Sequence, residues 1–328
     1  MSRTLSTIAV LLLAVPAFAQ SSASPAVIWL DRGDPSTLDL SSGPGGTDRE
    51  PGTRLVFIKE ASGGTSPKFD VQDERGVIWK VKLGEEARPE TAATRLLWAA
   101  GYIVDENYYR PTLRVANLPR LSRGREFVTN GDTVTGARLE RDGPNEATTT
   151  WSWYGNPFTG TREFNGLRVM MALINNWDLK EINNGATGSG GRPGQYGVMD
   201  LGATLGRTGN NVRRSKAVVE DYAEAEFIDK VTATHVDLRM DSRPFFLTIF
   251  NYRNYQFRTR MERVTKNIPI ADARWIGDLL GRLSATQIGD AFRSAGFSPS
   301  EVEAYTVVVA RRVAALQALG GPEVARGP

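Results

Sequence analysis

The sequence predicts an α+β fold in two lobes, a β-rich half followed by a mostly helical one. Three observations carry this. From Arg54 to Glu140, short β-branched and aromatic runs alternate with turns rich in Gly and Asp. From Asp272 onward three helical runs follow one another, two of them opened by the capping boxes Ser284-x-x-Gln287 and Ser298-Pro-Ser-Glu301. Between these regions Leu167, Met170, Met171 and Ile174 fall at i, i+3, i+4 and i+7, the apolar face of a buried helix that runs into a polar loop.

Taken in order, residues 1–19 read as an export leader. Arg3 gives a positive start, Ile8 to Val15 is apolar, and Ala17-Phe-Ala19 is a small-x-small cleavage site before Gln20. The expectation is export to a bacterial periplasm or beyond, with no membrane span once the leader is removed. The chain has no cysteine, which excludes lipid attachment at the cleavage site and a disulfide framework. Net charge is +3, sequence pI about 9.1 and mean hydropathy −0.31, the balance of an ordinary water-exposed globule. So mild a charge, with no basic-aromatic stripe noted along the chain, gives no support to nucleic-acid binding. Residues 20–53 are rich in Ser, Pro, Gly and Asp and read as a linker, with Val27-Ile-Trp-Leu30 as a short arm packed on the body.

The β-rich region opens with a strand at Leu55–Ile58. The turn Ser62-Gly63-Gly64-Thr-Ser-Pro-Lys68 follows, then strands at Phe69–Gln72 and Val77–Leu83 joined by the hairpin turn Asp73-Glu-Arg-Gly76. A Gly-Gly turn can lay its backbone N–H groups over phosphates, although most such turns are only turns. Lys80 and Lys82 project to one face of the third strand. Glu90 opens a helix after Pro89, a good first-turn residue, and the helix ends near Gly101. Tyr102–Val115 and Val134–Glu140 are further strand candidates, and the aromatic run Trp151–Phe158 reads as packing rather than ligand stacking.

The loop after the central helix carries Asp178, Lys180 and Asn183, and Asp200 ends a short apolar strand before Leu-Gly. One carboxylate can accept a hydroxyl proton, while an amide and a second carboxylate can hold a hard cation by oxygen. The basic run Arg213-Arg214-Ser-Lys216 is open to two readings, a contact for an anionic acceptor or a solvated loop. His235 is the only histidine, which excludes a His-dependent triad and a multi-His zinc site.

Two of these motifs have a family resemblance. Asp178-Leu-Lys180-x-x-Asn183 resembles the catalytic loop of the protein-kinase-like superfamily, and Asp200-Leu-Gly202 its metal-binding D-x-G. Lys82-Leu-Gly-Glu-Glu-Ala-Arg-Pro-Glu90 is similar to the phosphoinositide-kinase pattern K-x-G-D-D-x-R-x-D. The resemblance covers roughly residues 55–206 and implies a bilobal kinase-like fold, with an N-lobe over 54–140, a C-lobe over 141–320 and a tail over 321–328. It implies that Lys82, preferred to Lys80, contacts the phosphates of ATP under the Gly63-Gly64 turn, and that Glu90 positions Lys82. Asp178 would then be the acceptor base and Lys180 would offset phosphoryl charge. Asn183 and Asp200 would bind Mg²⁺.

The implied activity is phosphoryl transfer from MgATP to a hydroxyl on protein, lipid or sugar, with nucleotidyl transfer left open. The sequence departs from conventional protein kinases in having no histidine before Asp178 and no G-x-G-x-x-G. The alternative is a pseudokinase or envelope binding module on the same fold. A hydrolase using Asp178 and Asp200 as paired carboxylates ranks last, because it leaves Lys82 idle.

Overall fold

Turn signals at 62–68, 73–76 and 130–131 fold the β-rich half of the chain into a single sheet that curls back on itself. The computed structural model describes residues 26–142, 149–187, 194–208, 214–240, 249 and 251–321. Residues 1–25, with the expected leader at 1–19, most of Pro244–Phe250, Arg213 and the tail beyond 321 lie outside these residues. In the sheet, β1 (Leu55–Ala61), β2 (Lys68–Gln72), β3 (Ile78–Leu83), β4 (Asn107–Ala116), β5 (Val128–Thr129) and β6 (Thr133–Arg141) are ordered β3-β2-β1-β4-β6-β5. β3 also pairs with β6, which closes five strands into a ring. The Asp73–Gly76 hairpin turn forms as expected. Its Asp73 carboxylate accepts hydrogen bonds from the N–H groups of Arg75 and Val77, at 3.0 and 2.9 Å, and from Trp79 Nε1 at 3.1 Å. Alternate strand residues such as Phe69, Val71, Trp79, Val81, Val134 and Leu139 fill the interior of the ring.

A second and larger core begins at α1 (Ala87–Ala99). This helix starts three residues before Glu90, with Pro89 in its first turn. Its Ala92, Ala93, Leu96 and Leu97 join the large core rather than the sheet's own. The core continues through α2 (Arg162–Leu173), whose Leu167, Met170 and Met171 are buried together with Ile174 just beyond it. β7 (Thr149–Thr150), just before α2, joins β8 (Asn184–Thr187) and β9 (Gln195–Val198) in one small sheet, and α3 (Val219–Glu224) and the β10–β11–β12 sheet (Ile228–Val231, His235–Leu238, Ile268–Pro269) follow.

Helices α4 (Tyr252–Glu262), α5 (Ile270–Leu280), α6 (Ala285–Arg293) and α7 (Pro299–Ala318) complete the chain. Both capping boxes form, at Ser284 with Gln287 and at Ser298 with Glu301. Trp151 and Trp153 are buried in the large core, their rings 4.8 Å apart. The chain is thus α+β and two-lobed, sheet first and helices after.

Two stretches differ from their sequence reading. Residues 31–53, read as linker, form a strap of three 3₁₀ turns fixed to the body. Leu40 is fully buried, and Gln287 Nε2 donates to the carbonyls of Pro35, Ser36 and Leu38 at 2.9–3.0 Å. The strand expected from Tyr102 starts at Asn107. Tyr102 and Ile103 instead form isolated bridges to Trp29 and Gly197. No helix among the described residues is long and apolar enough to cross a membrane.

Candidate active site

β3 delivers Lys82 to the boundary between sheet and helices, where it is 2% exposed. Its Nζ lies 2.7 Å from Glu90 Oε2 and 2.7 Å from Asp200 Oδ1. Lys80, the other lysine of the strand, pairs instead with Asp142 at 3.2 Å on a half-exposed flank. In the register of the closed sheet Lys82 stands opposite Arg138, which is 3% exposed. Like charges opposite one another repel. Glu90 answers both, because its Oε2 is also 3.3 Å from Arg138 Nε, and Glu140 takes the far side of the guanidinium at 2.7 Å. Burial and Arg138 work against the Lys82 ammonium, but Glu90 and Asp200 outweigh them, so Lys82 stays charged.

A second carboxylate, Glu86, ties three segments together. Ser66 Oγ, at the end of the Gly-rich turn, donates to it at 2.7 Å. Lys216 Nζ lies 2.7 Å away, and Lys82 Nζ lies 3.4 Å away. Burial raises its pKa, yet Lys216, Lys82 and Ser66 prevail and hold it at about 2. Gly63 and Gly64 are exposed at the tip of the turn, and Gly64 has φ +76°. Their carbonyls, with that of Ala61, accept from the Arg123 guanidinium at 2.8–3.5 Å, which fixes the turn from outside.

The other half of the site is built from two loops zipped together. Asn175, at φ +52°, turns the chain out of α2, and Asn176 Oδ1 accepts from the Asp178 N–H at 3.1 Å. Lys180 Nζ lies 2.8 Å from Asp178 Oδ1, and Asn183 Nδ2 donates to the Asp178 carbonyl at 2.9 Å. The β8–β9 hairpin pairs Asn184 with Val198, and Met199 N–H donates to the Asn183 carbonyl at 2.8 Å. Asn183 and Asp200 therefore leave neighbouring points of one hairpin. Asp200 itself sits at φ +52°, an uncommon conformation for a residue with a Cβ. Two residues on, Gly202 lets the start of α1 approach, since a Cβ there would lie 2.5 Å from Glu86 Cβ. The Leu205 N–H then bonds to the Ile174 carbonyl at 2.9 Å, closing the second loop on the first.

The structure thus brings Lys82, Glu90 and Asp200 into direct contact and, as a second group, Asp178, Lys180 and Asn183. The two groups share the hairpin. The Asn183–Asp200 pair suits Mg²⁺, which takes one or two protein oxygens and completes its shell with phosphates and water. Asn183 turns its Nδ2 toward Asp178, which leaves Oδ1 as a donor to metal. Asp200 commits only Oδ1 to Lys82. Among the described residues no group of three or more His, Cys, Asp or Glu forms a cage of its own.

Arg138, Arg258 and Arg312 were not singled out from sequence, whereas Glu86 stands within the Lys82–Glu90 motif and Arg214 within the basic run at 213–216. Arg138 and Glu86 are fixed by strand register and by loop contacts, which no local pattern announces. Arg214 lies over the Trp177 ring at 4.8 Å, and burial, then Arg258, brings its pKa down to about 10 against the pull of Asp178 and Glu262. Arg258 is also lowered by burial and also feels Asp178. Arg214 therefore borders the Asp178 loop. From the last helix, Arg312 NH1 donates to the Leu173 carbonyl and Asn175 Oδ1, both at 2.9 Å, bracing the loop from behind. Its companion Tyr305 donates to the Leu205 carbonyl at 3.0 Å.

No family model matches the chain, and no curated protein matches it. Among solved structures it is similar to a Helicobacter pylori proinflammatory kinase, CtkA, at a TM-score of 0.48 and 12% identity, over 81% of this chain and 95% of that one. It is also similar to the Golgi casein kinase with Mn/ADP bound, at a TM-score of 0.39 and 12% identity over 84% and 75% of the two chains. A second structure of the Golgi casein kinase has a TM-score of 0.33 and 11% identity, over 81% and 75%.

Proposed function

We propose that the chain is an exported phosphotransferase that moves the terminal phosphoryl group of MgATP to a hydroxyl acceptor. The observation that carries this reading is the buried Lys82 ammonium, held 2.7 Å from both Glu90 and Asp200. Burying a charge is costly, and one carboxylate would suffice for a structural pair. Here the two carboxylates differ: Glu90 is 3% exposed at its side chain, Asp200 42%. Glu90 is a fixed partner, whereas Asp200 faces the space a phosphate and its cation would enter.

Lys82 holds the nucleotide phosphates while Glu90 keeps its ammonium in place. The acceptor hydroxyl loses its proton to Asp178 as its oxygen bonds to the γ-phosphorus. The bond from that phosphorus to the bridging oxygen breaks, and ADP leaves with the electron pair. Lys180, already beside Asp178, offsets the charge on the moving group. Asn183 and Asp200 would hold Mg²⁺, which neutralises phosphate charge when bound. Positioning and electrostatics account for the catalysis, with no covalent enzyme intermediate.

The test is thermal stabilisation by ATP. Stabilisation should require a divalent cation, and Asp200→Ala should reduce it as EDTA does. Lys82→Ala should weaken it with the metal present. Equal ATP shifts in wild type, Asp200→Ala and EDTA would remove the site. Stabilisation without any transfer would make the chain a nucleotide-binding module on the same fold.

A further inference from the structure

The acceptor side of the Asp178 loop carries a surface that the phosphotransfer reading leaves unused. Helix α4 exposes Tyr252, Arg253, Gln256, Phe257 and Arg260. Their spacing of i, i+1, i+4, i+5 and i+8 puts them on one side of the helix. That face has two aromatic rings, two arginines and no carboxylate. Tyr252 is 60% exposed and Phe257 47%. Solvent faces of helices are ordinarily polar, and a solitary exposed apolar residue needs no explanation, but a contiguous group does.

The group continues onto the site. Tyr154, 46% exposed, lies under the Arg260 guanidinium at 4.9 Å, and Arg260 pairs with Glu181 of the Asp178 loop at 2.9 Å. Ile182, next along that loop and one residue before Asn183, is 74% exposed. Phe257 and Tyr154 share a cavity of about 90 Å³ with Leu179, the neighbour of Asp178.

We propose that this face docks on the surface of an anionic lipid bilayer, with the Asp178 loop held at headgroup level. Two features favour a bilayer over a folded partner. The most exposed apolar side chains of this face, Ile182 and Tyr252, stand out from the surface, whereas only a small cavity lies between the rings. Projecting apolar groups enter an acyl boundary without needing a matched concavity. Arg253 then reaches anionic headgroups while the aromatic rings sit at the interface, as on interfacial helices, and Arg260 stays tied to Glu181 at 2.9 Å. Docking does not depend on phosphotransfer. Only its corollary, that the acceptor hydroxyl belongs to a lipid headgroup, rests on that reading.

The absence of cysteine allows a clean test. Single Ile182→Cys and Val307→Cys chains are labelled with a polarity-sensitive fluorophore, Val307 being 61% exposed on α7 away from this face. With phosphatidylglycerol-containing vesicles and no nucleotide, the label at 182 should brighten and shift to the blue, and the label at 307 should not. Phosphatidylcholine vesicles should give a smaller response, and added salt should weaken the anionic one. Combining Tyr252→Ala with Phe257→Ala should lower the apparent affinity at least about tenfold.

A silent label at 182 would overturn the proposal, as would an equal response at 307, which the apolar leader alone would produce. A response to raised protein concentration, polyglutamate or single-stranded DNA in place of vesicles would assign the face to another partner and would also overturn it. Because no nucleotide is present, failure here leaves the phosphotransfer reading standing, and failure of transfer leaves docking standing.

Discussion

Two buried cations face each other across β3 and β6, and one carboxylate sits between them. Lys82 and Arg138 are cross-strand partners, and Glu90 lies within 2.7 Å of the first and 3.3 Å of the second. Glu90→Gln would leave Lys82 to Asp200 and Glu86 and Arg138 to Glu140, both buried cations only partly compensated. Breaking a buried pair in this way costs about 3–5 kcal/mol. The half-exposed Lys80–Asp142 pair gives the contrast, since Lys80→Ala should change stability by well under about 1 kcal/mol. Urea unfolding of both variants checks this, and similar losses would contradict the account.

Strand alternation puts Lys80 and Lys82 on one face, and only the resemblance of the Lys82–Glu90 motif chooses Lys82 and Glu90. Arg138 could not be chosen, because its opposition to Lys82 is set by a register between strands more than fifty residues apart.

At the scale of elements, the Asp73 turn and the last helix make separate predictions. Burial pushes the Asp73 carboxyl upward, but the donors of Trp79, Val77, Arg75 and Gly52 prevail and hold it at about 2. A depressed carboxyl contributes stability above its unfolded pKa and loses it as pH falls through the folded one. Its share, about 2 kcal/mol, should therefore disappear between about pH 4 and pH 2. Asp73→Asn should lower stability at neutral pH by that amount and flatten the acid side of the stability profile. Parallel profiles for the two proteins would contradict this.

In α7, Arg312 is 2% exposed and donates to the Leu173 and Tyr222 carbonyls as well as to Asn175. Arg312→Leu would orphan several buried acceptors at once and should cost about 3 kcal/mol or more. Tyr305→Phe removes a single bond and should cost about 1 kcal/mol by the same denaturation measurement. A smaller loss in the first variant than in the second would contradict the bracing role. The capping boxes that open α6 and α7 were readable as spacing. What α7 braces was not, since its acceptors lie about 90 to 140 residues earlier in the chain.

For the whole molecule, the order of textures along the chain was enough to give the α+β class and the two lobes. The six-stranded sheet builds its own core, while α1, the strap before the sheet and everything after β6 build the other. The strap at 31–53 escaped because Ser, Pro, Gly and Asp look like linker when their partners are unseen. Its carbonyls are satisfied by Gln287, some 250 residues away. The aromatic-arginine face of α4 escaped for another reason, since Tyr, Arg and Phe at helical spacing mark a docking surface only once the helix is known to expose them.

The site lies where the lobes meet: Lys82 and Glu90 come from the β3–α1 edge, and Asp178, Asn183 and Asp200 from loops of the large core. Its central claim is that Asp178 takes the acceptor's proton while Lys82 binds phosphate. Transfer of labelled γ-phosphate to membrane, protein and glycan fractions tests it most directly, with Asp178→Asn and Lys82→Ala beside the wild type. General-base contributions run to about 10²–10⁴-fold. Asp178→Asn should lose transfer on that scale while keeping MgATP affinity, and Lys82→Ala should lose affinity as well. Undiminished transfer in Asp178→Asn would contradict the claim.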